Sequence, residues 1–563
     1  MHRPSSQPHP CLYYPYKIHR PWLPTDHQAQ AQAQVVIVGA GPAGLVTALE
    51  LARHGVSSVV LASELQVSLG SRAIVFTRRS MEILQQVGVA SRMSARGLPW
   101  RIGHSHYRGQ RVFRMEAPHD PDDRFHPMLN LQQQFLEEYL VEACQAQPLI
   151  DLRWGNQLIG LNERADHAEL TIDTPAGPYT LQSQWVVAAD GGRSTLRSLL
   201  NLKMEGSSYE GQFVIADIRA DLPLPTERLA FFDPVWNPGN TVLVHREPLG
   251  IWRIDYQLPA GETVQEALRP ESLKTRIEAT LAMIGHAGID WEMDWASVYS
   301  ARTLTLPDFR SGRVLFTGDA AHLLPIFGVR GANTAFQDSQ SLGWHLAFVI
   351  QGWASERLLS NYSRERVAAA REIIEESGKS TRFMTPPTRG FALLRNAVLS
   401  LSLQHEFVRP LFHWRTSRAH AYTRSMLNAP EDDNAAFTAG PGHGAPPQNV
   451  CLGPDRFLLD HLGGGFDLLY FTKASALPAG VREVLDAFGQ RGIRIRVHAI
   501  GPDQTPEGAD HSIADPQGRV AARYGVPGNE AAYLLRPDQH ICARWLHLDP
   551  ARLRTALQAA LPH

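Results

Sequence analysis

Cysteine is scarce: four in 563 residues, at Cys11, Cys144, Cys451 and Cys542. No two form a C-x-x-C pair and none stands near histidine at ligand spacing. Neither a disulfide framework nor a zinc or other metal site is expected, and the compartment reads as reducing. Charge of one sign is not in excess either, since 54 Lys and Arg against 56 Asp and Glu leave a net charge of −2. That balance argues against nucleic acid or an anionic membrane as a main partner. Long apolar runs are missing. The N-terminus has no continuous apolar core of the signal-peptide kind and no stretch reaches the length of a membrane span, so a cytoplasmic protein is expected. There is no repeat of fixed period. What is present, 44% apolar and 20% charged residues, is the composition of a globular protein large enough for several domains.

The chain is organised around Val35 to Gly55, VVIVGAGPAGLVTALELARHG. Val35, Val36, Ile37 and Val38 read as a strand buried on both faces. Gly39, Gly41 and Gly44 follow at the spacing of the dinucleotide fingerprint. The first makes the tight turn, the second lets the backbone approach a pyrophosphate, and the third lets the helix lie close to the strand. Leu45, Ala48, Leu49 and Ala52 recur at helical spacing, His54-Gly55 ends the helix, and Ser58 to Leu61 reads as the next strand. A helix N-terminus is thereby presented to a diphosphate.

Two other stretches read as nucleotide contacts. Asp190 to Arg197 is D-G-x-x-S-x-x-R after a buried strand. Arg313 to Ala347 carries Gly318-Asp319 at a strand end, where a carboxylate accepts hydrogen bonds from sugar or ribitol hydroxyls. Gly328, Gly331 and Asn333 then lead into a helix whose free N–H groups stabilise partial negative charge on a ring carbonyl. No second G-x-G-x-x-G unit stands on a strand–helix boundary, so a nicotinamide must bind transiently on the same domain. Elsewhere Ser80–Val87, Asn130–Cys144, Pro270–Ile284 and Leu393–Phe412 read as helices. The stretch from Gly206 to Pro259 is rich in strands, and Asn428–Asn449 is a linker by composition.

Together the three motifs resemble the single-component flavoprotein aromatic hydroxylases, the group of para-hydroxybenzoate hydroxylase and phenol hydroxylase. The FGVRGAN that follows GDAAH places the resemblance in the branch of 3-(3-hydroxyphenyl)propionate hydroxylase, and it covers nearly everything from Val35 onward. It implies an α/β fold: a Rossmann-like FAD-binding domain, an inserted β-sheet substrate domain and a C-terminal thioredoxin-like domain. The expected division is a low-complexity lead-in over 1–34, FAD-binding domain over 35–205 and 296–385, and substrate sheet over 206–295. A helix and linker then cover 386–447, and 448–563 is a thioredoxin-like domain without redox cysteines. That last part is read as a packing or oligomer surface whose deletion spares reduction of FAD by NAD(P)H, and a homodimer is left open.

The resemblance also assigns roles. Gly39, Gly41 and Gly44 hold the FAD diphosphate. Arg72 contacts the FAD phosphates or the incoming nicotinamide, and Gln133 lies near the ribose and diphosphate. Asp190 and Arg193 serve FAD and NAD(P)H, and Gly318-Asp319 holds the ribitol. Gly331, Ala332 and Asn333 face the flavin pyrimidine ring, and Pro325 borders the meeting place of O2 and substrate. His322 reads as satisfying a local hydrogen bond. Three features depart from the pattern. Ile326 replaces a second proline, Ser341 and His345 stand at the usual Asn and Lys positions, and Ala62 ends the second strand where an acidic residue takes the adenosine ribose. Glu64 is the expected substitute, the alternative being a ribose left to water and Ser63.

In this group NAD(P)H reduces FAD, O2 adds at flavin C(4a), and the hydroperoxide passes OH to an electron-rich ring. A base that deprotonates a phenol assists this. The aspartate that phenol hydroxylase carries after the GSRAI region is absent, with Ile74 about there. The expected wall for a small aromatic substrate is TVLVHREPLGIWRIDYQL, whose alternation puts Arg253, Asp255 and Gln257 on one face and Trp252, Ile254 and Tyr256 on the other. His245, Arg253, Asp255 and Tyr256 are the candidates, each with a structural role equally open. The alternative is a flavin monooxygenase acting on a larger polycyclic, polyketide or antibiotic substrate. A flavin halogenase is disfavoured because its WxWxIP motif and lysine are absent. A non-catalytic flavin-binding scaffold is the reading from another class.

Overall fold

Four consecutive β-branched apolar residues have no polar face to turn to water, and Val35–Val38 accordingly sit mid-sheet. The computed structural model describes residues 2–25, 32–259, 261–325, 327–412, 417–430, 432–501 and 504–562. In it, strand Gln32–Val38 lies between Tyr179–Ala188 and Ser58–Ala62, with Val314–Phe316 and Ile150–Trp154 flanking them, all five parallel. Helix Pro42–Arg53 returns from the central strand and packs against helix Gly331–Ile350. Gly343 permits that approach, because a Cβ there would stand 2.5 Å from the Cβ of Glu50.

A second eight-stranded sheet is built mainly from Glu205–Ala220, Arg228–Phe232, Thr241–Arg246, Ile251–Gln257 and Trp291–Thr305. It reaches beyond the span 206–295. Ile102–Tyr107 and Gln110–Glu116 join one edge, and His322–Leu323 pairs with the other. One face packs Val214, Ala216, Ile254 and Tyr256 against Leu273, Ile277 and Leu281 of helix Pro270–Met283. The opposite face carries Tyr107, Phe213, Phe232 and Leu243 and meets Phe327, Phe383 and Leu399.

Residues ahead of Val35, expected as a lead-in, are partly core. Tyr14 and Tyr16 are buried with the first sheet's helices, and the Leu12 N–H donates to the Asp294 carboxylate over 2.6 Å. The central strand begins at Gln32, while the earlier part of the QAQAQAQ run and Ile326 lie outside the described residues. The stretch Asn428–Asn449, a linker by composition, is tied down. Ala429 N–H donates to Cys542 O over 2.7 Å, and Arg552 pairs with Asp433 at 3.0 Å. The C-terminal unit has a mixed five-stranded sheet in the order His511–Ile513, Ile495–Ile500, Phe466–Phe471, Ala531–Leu535, Ile541–Trp545. Among the described residues, no helix is long and apolar enough to cross a membrane and no cluster of ligating side chains could hold a metal.

Candidate active site

Open parallel sheets gather ligands at the carboxyl ends of their strands. Here those ends bring the three sequence motifs side by side. Each neighbouring strand continues its ladder by one bond: Gly39 N–H to Leu61 O at 2.9 Å, Ala189 N–H to Val38 O at 2.9 Å, and Thr317 N–H to Ala188 O at 3.0 Å. Gly39, Asp190 and Gly318-Asp319 therefore leave the sheet from three adjacent strands.

The glycines divide by what crowds them. Gly39 has φ +111° and its Cβ would stand 2.3 Å from Ala189 O, while a Cβ on Gly44 would stand 2.0 Å from Gly39 O. Protein packing alone demands both. Gly41 and Gly331 have nothing within 4 Å of a Cβ, and they head helices of 12 and 20 residues. The open backbone at two helix N-termini fits the diphosphate and the polar ring edge of a flavin nucleotide.

Asp319 is solvent-accessible on this edge, although the protein packed about its turn raises its carboxyl above the ordinary range, against the pull of His322 and Arg72. Its turn is held by Asp338, which accepts the Gly318 N–H at 3.1 Å and lies 2.7 Å from His322 Nε2. Asp190 spends one carboxylate oxygen on the Leu196 N–H at 3.0 Å, capping the short helix Thr195–Leu199. Its other oxygen has no partner among the described residues. Burial raises this carboxyl too. Arg197, the last residue of the second motif and unassigned from sequence, donates to Gly192 O at 2.7 Å and Ala320 O at 3.1 Å, tying the second motif to the third.

Other expected contacts prove to have occupied side chains. The Gln133 amide accepts from Ala73 N–H at 2.9 Å and donates to Glu137 at 2.7 Å, so it braces the GSRAI loop. The Asn333 side chain accepts from Thr77 N–H at 2.8 Å and Ser80 at 2.6 Å and donates to Val75 O and Val329 O. It turns into the protein, which leaves only backbone at Gly331–Asn333 to meet a ring. Arg72, Arg193 and Glu64 are exposed, and the Glu64 carboxylate has no partner among the described residues. Pro325 is buried two residues before Phe327.

On the second sheet the candidates separate by row and face. Tyr256 points to the helix side, buried beside Trp236 at 5.6 Å and under the Arg276 guanidinium at 5.3 Å. It leaves the candidate set because helix Pro270–Met283 covers its face. Arg253 is also corrected. It is buried, donates to both Asp217 oxygens at 2.8 and 2.7 Å, and holds the Ser71 and Arg72 carbonyls. With the buried Glu247 carboxyl, itself raised well above the ordinary range by burial, 3.4 Å away, it is held charged by Asp217 as a clamp between sheet and GSRAI loop. Replacing Arg253 by Leu would strand two buried acids. A loss of about 3–5 kcal/mol is expected, read as a lower urea midpoint with unchanged slope.

One row further along, Asp255 lies across from Leu243 and Ile215. It is 6% exposed and makes no hydrogen bond or ion pair with the described residues. Burial pushes its carboxyl up to about 7, Asp217 adds to the rise, and Arg253 and Arg228 oppose it. His245, buried beside Arg228 and Arg253, is held neutral with Nδ1 unpartnered among the described residues. Tyr299, which sequence reading did not single out, stacks on Phe213 at 5.6 Å, and Phe213 meets Phe327 edge-on at 5.3 Å. Burial and Asp255 hold the Tyr299 hydroxyl protonated. Asp217 carries a legible signal, a lone acid inside the apolar run QFVIADI; Tyr299 carries none.

Comparison with known proteins agrees with this geometry. Residues 32–377 match the family described as FAD binding domain. The 6-methylpretetramide 4-monooxygenase of Streptomyces rimosus is 29% identical over 545 residues, 93% of each chain. A 3-(3-hydroxy-phenyl)propionate/3-hydroxycinnamic acid hydroxylase of Mycolicibacterium smegmatis is 30% identical over 368 residues, 65% of this chain and 64% of that one. The fold is shared with the flavin-dependent monooxygenase PieE, solved with FAD and substrate, at TM-score 0.78 and 24% identity over 94% of this chain and 98% of that one. It is shared with aklavinone-11 hydroxylase, solved with FAD and aklavinone, at TM-score 0.75 and 23% identity over 94% and 99%. The chain belongs to the FAD-binding family of flavin-dependent aromatic hydroxylases and is an oxidoreductase that uses FAD.

Proposed function

We propose that this chain hydroxylates a phenolic or related aromatic compound, consuming O2 and NAD(P)H. FAD, when bound, supplies the oxygen activation and the electron relay. The observation that carries the reading is Asp255, a buried carboxylate without a hydrogen-bond partner among the described residues, raised to about 7 on a face lined by Phe213, Phe232, Tyr299 and Phe327. A base of that strength accepts a phenolic proton at neutral pH, and the aromatic wall orients the ring and keeps water out. Neutral His245, one row away opposite Arg253, offers Nδ1 as a further acceptor, and Pro325 borders the site.

At the sheet edge Gly39, Gly41 and Gly44 would hold the diphosphate against a helix N-terminus, with Glu64 on the adenosine ribose. Asp319 would take the ribitol, and the backbone of Gly331, Ala332 and Asn333 the pyrimidine ring. Arg72 and Arg193 would meet phosphates or the incoming nicotinamide. Gln133 and Asp190 would shape the edge from behind. The C-terminal unit we read as thioredoxin-like but redox-inert: Cys451 is half-buried, Cys542 fully buried, and both are free thiols.

The name of the Streptomyces relative, whose match spans 93% of both chains, favours a second reading on a polycyclic substrate. Stimulation of NAD(P)H consumption by monocyclic phenolic acids against polycyclic phenols, with product analysis, separates the two. No stimulation by either class would defeat the proposal. For Asp319→Ala, a charge-assisted hydrogen bond of about 1.5–3 kcal/mol translates to a roughly ten- to hundredfold weaker FAD Kd. An unchanged Kd removes Asp319 from the site.

A further inference from the structure

The turn that carries Asp319 is not held by its own unit alone. Asp338 fixes the turn on both sides of Asp319, through the Gly318 N–H and His322. The remaining oxygen of Asp338 accepts from Arg366 Nε at 2.6 Å. Arg366 is fully buried in helix Arg357–Met384, and its Nη1 donates to the Tyr422 hydroxyl at 2.7 Å. Tyr422 belongs to the stretch between the flavin unit and the C-terminal sheet. Its backbone N–H bonds Gly444 O at 2.9 Å, and its ring lies 4.6 Å from His540 and 5.2 Å from the Arg536 guanidinium. Arg536 and His540 flank the buried tip of the C-terminal hairpin, and Arg536 grips Glu365, the neighbour of Arg366, with bonds of 2.7 and 3.0 Å. Hydrogen bonds from the turn of Asp319 to Tyr422, and ring and cation–π contacts from Tyr422 to the C-terminal hairpin, therefore form one buried set.

We propose that Tyr422 is a positioning residue for the flavin site: through Arg366 and Asp338 it sets the placement of Asp319, so that the C-terminal unit completes a site it does not touch. This rests on Asp319 binding FAD as proposed above. A guanidinium shared between a carboxylate and a phenol has its fork direction set by both acceptors. Without the phenol oxygen Arg366 is held by Asp338 and only a long bond to Thr334 O at 3.4 Å, so its fork and the Asp338 carboxylate are less firmly set. A role in stability alone would lower the melting temperature and leave flavin affinity untouched.

The test is a double-mutant cycle on FAD binding to apoprotein, with Tyr422→Phe, Asp319→Ala and the pair, and the visible spectrum of bound flavin as second readout. Tyr422→Phe is expected to weaken FAD by about three- to tenfold and to shift the flavin spectrum. Its effect should vanish in the Asp319→Ala background, because the two act on one contact. Additive effects, or an unchanged Kd and spectrum for Tyr422→Phe, overturn the proposal while the Asp319 assignment stands. If Asp319→Ala alone leaves FAD binding intact, the reading of the site itself fails. Should the Phe variant not fold, Arg366→Lys keeps the ion pair to Asp338 without the bridge to Tyr422 and is judged by the same cycle.

Discussion

Asp255→Asn is expected to lower kcat/KM by about 10²- to 10⁴-fold, the usual contribution of general-base catalysis, while FAD content stays at the wild-type level. The shape of the pH profile is the sharper measure. With its carboxyl near 7, wild-type kcat/KM should rise as pH climbs through that value and then level off, since only the ionised form takes the proton. The Asn variant should be low and flat. Stability should move the other way. The folded pKa lies above the reference value of 3.8, so the native state binds the extra proton. Stability is then greatest below about pH 4 and declines as pH rises to about 7, by up to about 4 kcal/mol. Asn at 255 should remove that decline and make the protein more stable than wild type at pH 8. Denaturation at pH 4 and pH 8 beside the rate profile checks both. A variant with wild-type activity, or one no more stable at pH 8, would show that Asp255 is not the strained base assigned here.

The second large effect concerns the C-terminal unit. Read from sequence, 448–563 is a packing or oligomer surface whose removal alters oligomeric state or solubility and spares flavin reduction. The structure predicts the contrary: a chain ending at residue 447 should yield no folded flavin unit. Arg536 is the buried partner of Glu365, and Asp538 accepts the Trp344 indole N–H at 3.0 Å and, through its carbonyl, Arg79 at 3.1 Å. Trp344 and Phe348 of helix Gly331–Ile350 share one apolar cluster with Phe466, Leu534 and Trp545. Truncation removes the buried partner of Glu365 and opens the Trp344–Phe348 face to water, a loss of apolar burial that is large against a typical total of about 5–15 kcal/mol. Soluble yield, circular dichroism and FAD content of the truncated chain decide it. A folded, yellow 1–447 protein would show that the hairpin contributes little.

The nucleotide edge was legible because its determinants are local. A β-branched run, three glycines within six positions, and a Gly-Asp at a strand end each report on backbone a few residues away. The strand alternation that separates Asp255 from Tyr256 was equally visible, since period 2 needs no partner to be read. Which of the two faces meets the aromatic cluster was not visible. Helix Pro270–Met283 covers one side and Phe327 with Phe383 the other, and layer order is a property of packing. The same limit explains Arg253 and Asn333. Read from sequence, Arg253 faces the substrate and Asn333 the flavin ring, but their side chains are taken up by Asp217 and by Thr77 and Ser80, groups 36 and more than 250 positions away. A buried ion pair leaves no mark in the sequence around either partner. Nothing near Glu365 announces Arg536, 171 residues on. Sequence alone determined that the chain is a flavoprotein of this family, because the three motifs that mark it are local. Tertiary structure decided which polar groups remain free to act, because a charge in the protein interior must find its counter-charge wherever the fold brings one within reach.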